Sequence, residues 1–272
     1  YKSGAKRDGT LTAVEVDILG DTGAYASYGA TVAIRSAIHA TGPYQIPNVK
    51  VKSRMVYTNN LWTGAMRGFG VPQIAFAHES QMDLLAQSLK IDPIEIRLKN
   101  ALTVGSETST GQTLMAGVEI GDTLKKVKEW RDHLAISRND PKEPFIKKGI
   151  GVGSMWYGIG NTGIANPSTA QIEIDPNGEI RLFTGVADIG QGSDTVLLQI
   201  ASETLGISID EIHLIRADTA VTTDAGATSA SRQTYISGNA ILNAIKILNQ
   251  EVLKEAGKLL GENEKDLFCE EG

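Results

Sequence analysis

The sequence predicts an α+β fold made of two similar halves, each mixing strands with helices, and three observations predict it. Short stretches with period-two alternation are bounded by turn signals; Val14, Val16 and Ile18, for example, alternate with Glu15 and Asp17. Longer stretches repeat apolar residues at helical spacing, as Ile74, Ala77, Met82, Leu85 and Leu89 do. The two halves also echo each other. Gly68-Phe-Gly-Val-Pro-Gln73 leads into a helical pattern and then Leu89-Lys-Ile-Asp-Pro-Ile-Glu-Ile96. Gly190-Gln-Gly192 leads into a helical pattern and then Leu205-Gly-Ile-Ser-Ile-Asp-Glu-Ile212. A duplicated strand, loop, helix, strand unit explains the echo, and strands mixed with helices and hairpins give the α+β class.

In chain order, Lys2 to Arg7 reads as a strand already under way, so Tyr1 is expected to lie inside a longer polypeptide. Arg7-Asp8-Gly9 is a turn signal, and Leu11 to Ile18 is the returning strand of a hairpin. Gly20, Gly23 and Gly29 punctuate a segment to Arg35 that is expected to be irregular. After the breaks at Gly42-Pro43 and Ile46-Pro47-Asn48, Val49 to Tyr57 is a strand. Pro72 opens an amphipathic helix to Lys90, and Asp92 caps a shorter one with Pro93 in its first turn. Thr103 to Gly121 is read as loop and Asp122 to Arg131 as helix. The charged stretch 132–148, with Pro141 and Pro144, is read as a surface linker between halves 1–131 and 149–272. Beyond it, Gly149 to Gly160 and Ala170 to Ile174 are expected strands, Asn177-Gly178 a hairpin turn and Glu179 to Thr184 its return. A helix from Ser193 to Leu205 stops at Gly206, and a long helix starts near Ser237.

Composition narrows the function. With 41% hydrophobic and 21% charged residues the chain can bury a core, and a formal charge of -6 argues against nucleic acid or an anionic membrane as partner. No run approaches the roughly 18 apolar residues of a membrane span. The one cysteine, Cys269, excludes an internal disulfide and cannot hold an iron–sulfur cluster, which fits a reducing, cytoplasmic setting. No phosphate-loop lysine motif, His-Glu-x-x-His pair or paired cysteines occur, and His39, His78, His133 and His213 are scattered. No side chain is therefore expected to ligate a metal.

Three loops carry the candidate chemistry. Gly64-Ala-Met-Arg67-Gly-Phe69-Gly-Val-Pro72-Gln73 runs directly into a helix. Its glycines let backbone approach a ligand, the helix start favours negative charge, and Arg67 adds a permanently charged donor fork. In Asp188-Ile-Gly190-Gln191-Gly192-Ser193, Gln191 sits between glycines, where its amide can give and accept hydrogen bonds with a heterocycle. Gly226-Ala-Thr228-Ser229-Ala230-Ser231-Arg232-Gln233-Thr234 offers small and hydroxylated residues ahead of the last helix, with the Gln233 amide for a polar edge. Taken alone, each loop is also compatible with an ordinary turn or cap.

These loops in this order, with Ala33-Ile-Arg35-Ser and Tyr44-Gln-Ile-Pro-Asn48, resemble the molybdenum-binding part of the xanthine dehydrogenase and aldehyde oxidase family over essentially the whole chain. Met66-Arg67-Gly-Phe-Gly-Val-Pro-Gln73 is the most specific piece. The resemblance implies two domains of the molybdenum-cofactor-binding type with a cofactor cleft between them. It implies hydroxylation of a heterocycle or aldehyde carbon with oxygen from water, at molybdenum held by molybdopterin. Position by position it makes Arg67 the catalytic arginine beside the metal. Gly68, Phe69, Gly70, Gly190, Gln191, Gly192 and Ser229 become cofactor-binding residues. Ala230 and Ser231 would line the substrate pocket, and Arg35 would stabilise negative charge on a purine.

The family's upstream glycine-and-phenylalanine loop and its late Gly-Glu motif, which carries the catalytic base, do not occur in these residues. The fragment alone is therefore expected to be inactive. The rest of the molybdenum subunit and 2Fe-2S and FAD centres on other domains or subunits are the expected partners. Purine is the expected substrate class, nicotinate or an aldehyde the alternative. A non-redox ligand-binding module or an assembly module is the competing reading.

Overall fold

The computed structural model describes residues 1–134, 145–160 and 165–269. They gather into two compact units, Tyr1–Tyr157 and Gly158–Gly272. In the first, β1 (Lys2–Ala5) and β2 (Leu11–Gly23) form the expected hairpin, closed by Lys6 and Thr10 and by an Asp8 carboxylate that accepts from the Thr10 N–H at 3.1 Å. Helix α1 (Gly29–Ile38) crosses to β3 (Val49–Tyr57), which pairs parallel to β2 from Val14↔Val49 to Gly23↔Tyr57. The sheet order is β1-β2-β3. Val14 and Val16 point to the core with Ala40 and Ile74, while Glu15 and Asp17 face solvent and pair with Lys50 and Arg54.

Helices α2 (Val71–Leu89), α3 (Pro93–Asn100) and α4 (Ile120–His133) complete this unit. The Asp92 side chain caps α3 by accepting from the N–H groups of Ile94 and Glu95. α4 lies on α3 through Arg131–Asp92 and Lys128–Glu95 ion pairs. The second unit repeats the opening topology. β4 (Ala170–Ile174) and β5 (Ile180–Thr184) form a hairpin, α5 (Ser193–Leu205) crosses over, and β6 (Ile212–Arg216) joins parallel to β5. Gly206 ends α5 at φ 75°, and α6 (Gly238–Leu260) packs on α5 and β4. Among the described residues no helix is long and apolar enough to cross a membrane.

The structure departs from the sequence expectations in five places. The segment from Gly20 to Arg35 is not irregular, because β2 continues to Gly23 against β3 and α1 follows. Gly29 serves close packing there: a Cβ on it would lie 2.3 Å from Thr22 Oγ1. Residues 149–158 form no strand. Residues 149–157 pack with the first unit, where the Ser154 N–H donates to the Glu79 carboxylate at 2.8 Å. The boundary between units thus falls downstream of 132–148, of which 135–144 lie outside the described residues. β6 was not read from the sequence as a strand in its own right. Finally, the topology pairs α5 with α1, since each links a hairpin to a parallel third strand. The Gly68 and Gly190 loops are therefore not equivalents within the repeat, and the counterpart of the Gly68 loop is the loop preceding α6.

The cores differ in chemistry. Unit 2 is built on Leu182, Val186, Leu197, Ala201, Ile212, Ala225, Ile241 and Ile245. Unit 1 has smaller apolar clusters and a buried ionic knot. The Glu79 carboxylate accepts from Tyr44 Oη at 2.6 Å, His78 Nδ1 at 2.9 Å, Arg97 Nε at 2.8 Å and the Ser154 N–H. Arg97, fully buried, also donates to Pro93 and Glu79 carbonyl oxygens and reaches Asp83 at 2.8 Å. Burial pushes the Glu79 carboxyl up, but the hydrogen bonds from His78 and Tyr44 and the Arg97 guanidinium outweigh it. The net position is below the usual glutamate range.

Candidate functional site

In unit 1 the Arg67–Gly70 turn is built from three successive left-handed residues, Gly68 (φ 95°), Phe69 (φ 52°) and Gly70 (φ 91°). Two of them must be glycine for space as well as for φ. A Cβ on Gly68 would meet the Pro72 ring at 2.6 Å, and one on Gly70 would meet Ser36 Oγ at 2.3 Å and the Val32 carbonyl oxygen at 2.7 Å. The turn is thereby docked on α1, where Ser36 Oγ donates to the Gly70 carbonyl oxygen and the Phe69 ring meets Tyr28 edge-on at 5.7 Å. Phe69 tolerates a backbone conformation that costs an L-residue about 1–2 kcal/mol. Arg67 is exposed, and α2 begins at Gly70 with no side-chain cap.

Arg35 lies on the same helix, buried, with its guanidinium carbon 4.5 Å from the Tyr157 ring centroid. Its carbonyl oxygen accepts from His39 Nδ1 at 2.9 Å. Burial pushes the His39 imidazole down, so the ring is neutral at pH 7 and stacks near Trp156 and Tyr157. α1 therefore carries Val32 and Ser36 against the Gly70 turn and Arg35 and His39 against Trp156 and Tyr157. Arg35 and the Arg67 turn share one helix as support, with only Arg67 on the surface.

In unit 2 the other two loops meet. Gly190 (φ 100°) and Gly192 (φ 80°) flank Gln191, and a Cβ on either would meet nothing within 4 Å, so backbone lies open on that side. The exposed Gln191 side chain folds back: Oε1 accepts from the Ile189 N–H at 2.7 Å, and Nε2 donates to Ser193 Oγ at 2.8 Å. Thr228 Oγ1 reaches across from the third loop and donates to the Ala187 carbonyl oxygen at 2.7 Å. Ala230 (φ 50°) and Ser231 (φ 54°) are consecutive left-handed residues, followed by a π-helical turn, Gln233–Ser237, that opens α6. The Ser229 carbonyl oxygen accepts from the Arg232 N–H and that of Ala230 from the Gly160 N–H. Arg232, buried, donates to the carbonyl oxygens of Ala225, Ala227 and Pro167, pinning the loop from beneath.

The two helix starts differ electrically. At α5 the chain supplies its own anion. Asp188 accepts from the N–H groups of Gly190, Asp194 and Gly192, which hold its carboxyl below the usual range. At α2 no side chain fills that role, and the nearest charge in the turn is the Arg67 cation. Each loop offers its own donors: in unit 1 Arg67 and the α2 start suit an anionic group, and in unit 2 the open glycine backbone and amide around Gln191 suit a neutral hydrogen-bonding edge.

Two family models, both described as molybdopterin cofactor-binding domain, match residues 1–101 and 123–272. The chain belongs to the molybdopterin cofactor-binding domain family. It is 53% identical over 128 residues, 47% of this chain and 30% of the relative, to the nicotinate dehydrogenase large molybdopterin subunit of Eubacterium barkeri. It is 34% identical over 99% of its length, and 36% of the relative's, to a putative xanthine dehydrogenase molybdenum-binding subunit of Escherichia coli. Among solved structures, the aldehyde oxidoreductase of Desulfovibrio desulfuricans superposes with a TM-score of 0.79 at 32% identity, covering 90% of this chain and 27% of that one. The chain thus spans about a third of the length of such relatives.

Arg35, Arg67 and Gly68–Gly70 fall in the first molybdopterin cofactor-binding domain match, and Gly190–Gly192 and Ser229–Ser231 in the second. Sequence reading missed Asp188 as the filler of the α5 start; an Asp two residues before a glycine, and four before another, is the signal for it. It also left the Gln233 amide open to a ligand, whereas the side chain is buried and bonded to Thr228 and Ser237. Nothing local marks the buried partners of Arg232.

Proposed function

We propose that this chain is the cofactor-holding part of a molybdenum hydroxylase acting on a purine or related azaheterocycle with water as oxygen source. The observation that carries the reading is the Arg67–Gly70 turn, which sets an exposed guanidinium beside an uncapped helix start on three left-handed residues within a molybdopterin-binding domain. When bound, the molybdenum–molybdopterin group supplies the redox centre. Arg67 would orient an anionic substrate or oxo group and hold charge that grows in the transition state. The Gly68, Phe69 and Gly70 backbone, the Gly190–Gln191–Gly192 loop and Ser229 would hold the cofactor, and Ala230 and Ser231 would border the substrate. Arg35, buried under Tyr157, would act on a purine by its field rather than from an open surface. The catalytic base and the 2Fe-2S and FAD centres are assigned to other parts of the enzyme. Cys269 alone cannot ligate a cluster. A cytoplasmic setting accords with that free thiol.

Nicotinate is the second reading, favoured by the 53% identity to a nicotinate dehydrogenase subunit and by the exposed cation, which suits a ring carboxylate. The test compares the parent holoenzyme with Arg67→Ala and Gln191→Ala in molybdenum and pterin content and in turnover of xanthine, nicotinate and an aldehyde. Arg67→Ala is expected to lower turnover by about 100-fold or more with cofactor retained, and Gln191→Ala to deplete the cofactor. A parent enzyme free of molybdenum would end this reading in favour of a non-redox binding module.

A further inference from the structure

The Gly190–Gly192 loop is exposed and glycine-rich, yet a line of side chains from the interior of unit 2 ends on it. Ser168 Oγ lies 2.9 Å from Ser237 Oγ. Ser237 Oγ donates to Gln233 Oε1 at 2.5 Å, Gln233 Nε2 donates to Thr228 Oγ1 at 3.0 Å, and Thr228 Oγ1 donates to the Ala187 carbonyl oxygen at 2.7 Å. The direction of every link is fixed. A carbonyl oxygen only accepts, so Thr228 must donate to it and must accept from Gln233. The amide oxygen must then face Ser237, which donates and is left to accept from Ser168. Such a head-to-tail chain polarises along its length. The π-helical turn Gln233–Ser237 and the left-handed pair Ala230–Ser231 are the backbone distortions next to it, and Gln233 and Ser237 are both buried.

The last acceptor matters. The Ala187 carbonyl oxygen also receives Gln191 Nε2 at 3.4 Å, and Gln191 Oε1 in turn holds the Ile189 N–H. We infer that Thr228 and Gln233 are positioning residues for the Gln191 loop, joined to it through the Ala187 carbonyl so that the strained start of α6 sets where the Gln191 amide and the open glycine backbone present themselves to the cofactor. The inference rests on the cofactor reading given above.

The test is made in the holoenzyme with Thr228→Val, which keeps the shape and removes the link, Thr228→Ser, which keeps the hydroxyl, and Gln191→Ala. Amide hydrogen exchange at Ile189, Gly190 and Gly192, molybdenum and pterin stoichiometry after dialysis, and the thermal midpoint are read for each. Thr228→Val is expected to speed exchange at those amides by about 2- to 10-fold, the loss of one hydrogen bond, and to lower cofactor content. Thr228→Ser is expected to restore both. Unchanged exchange in Thr228→Val overturns the inference. So does a lowered thermal midpoint with cofactor content intact, which is what a merely structural hydrogen bond would give. If Gln191→Ala itself leaves cofactor content untouched, the cofactor reading of this loop has failed and the inference falls with it; if Gln191→Ala depletes cofactor while Thr228→Val does not, only the inference fails.

Discussion

The two units share a hairpin, a crossover helix, a parallel third strand and a following helix, but they solve the same packing problem with different chemistry. Unit 2 closes on eight buried apolar residues, and its buried cation, Arg232, is spent on loop carbonyl oxygens. Unit 1 ties Tyr44, His78, Arg97 and Ser154 to the one carboxylate of Glu79. A common topology therefore does not dictate a common core. Where the apolar clusters are small, as in unit 1, a saturated ionic knot fixes which segments meet, and residues 149–157 are held to that unit partly by it.

The sharpest way to break this comparison is Glu79→Ala. It leaves the Arg97 guanidinium buried with only Asp83 as counter-ion, and it is expected to destabilise unit 1 by about 3–5 kcal/mol, with unit 2 unaffected. Denaturant melts followed by hydrogen exchange in each unit would check it; equal loss in both would refute the separation. A smaller contrast sets two glycines against each other. Gly190→Ala adds a Cβ into open space and is expected to cost about 1–2 kcal/mol from backbone strain alone. Gly70→Ala adds the clash with Ser36 and Val32 and should cost clearly more, measured by thermal unfolding.

The smallest effect is acid sensitivity. The folded-state pKa of Glu79 lies below its usual value of 4.5, so near that pH the unfolded chain binds more protons than the folded one. Its contribution is present above pH 4.5 and is lost as pH falls through the lowered value. Hydrogen exchange in unit 1 should therefore rise on acidification while the apolar core of unit 2 stays protected. In unit 2 the depressed carboxylates Asp175 and Asp188 fasten turns instead, so its loops rather than its core should loosen. Simultaneous loss of protection in both cores would contradict the distinction.

Much of the fold was legible because its signals are local. Pro72 and Gly206 mark helix ends, Asp92 is a cap, and Val49–Tyr57 emerges between turn residues. Helix α1 was not, since Gly29, Thr31 and Val32 are poor helix formers and no capping side chain announces its start. The Glu79 knot was hidden for another reason: on an amphipathic helix a glutamate reads as a solvated charge until distant segments bring Tyr44, Arg97 and Ser154 to it. Among the candidate loops, glycine spacing exposed the Gly68 loop of unit 1 and the Gly190 loop of unit 2. The handedness of Phe69, Ala230 and Ser231 and the burial of Arg35 follow from packing that no local pattern encodes.

Phe69 has a consequence of its own. Held at φ 52° between two glycines, it occupies a place where glycine would fit the backbone better, yet it sets a ring against Tyr28. Exchanging it for glycine would relieve the backbone and forfeit the ring contact in one step, so two opposed effects are tied to a single codon and the net change in stability should be small for so large a loss of side chain.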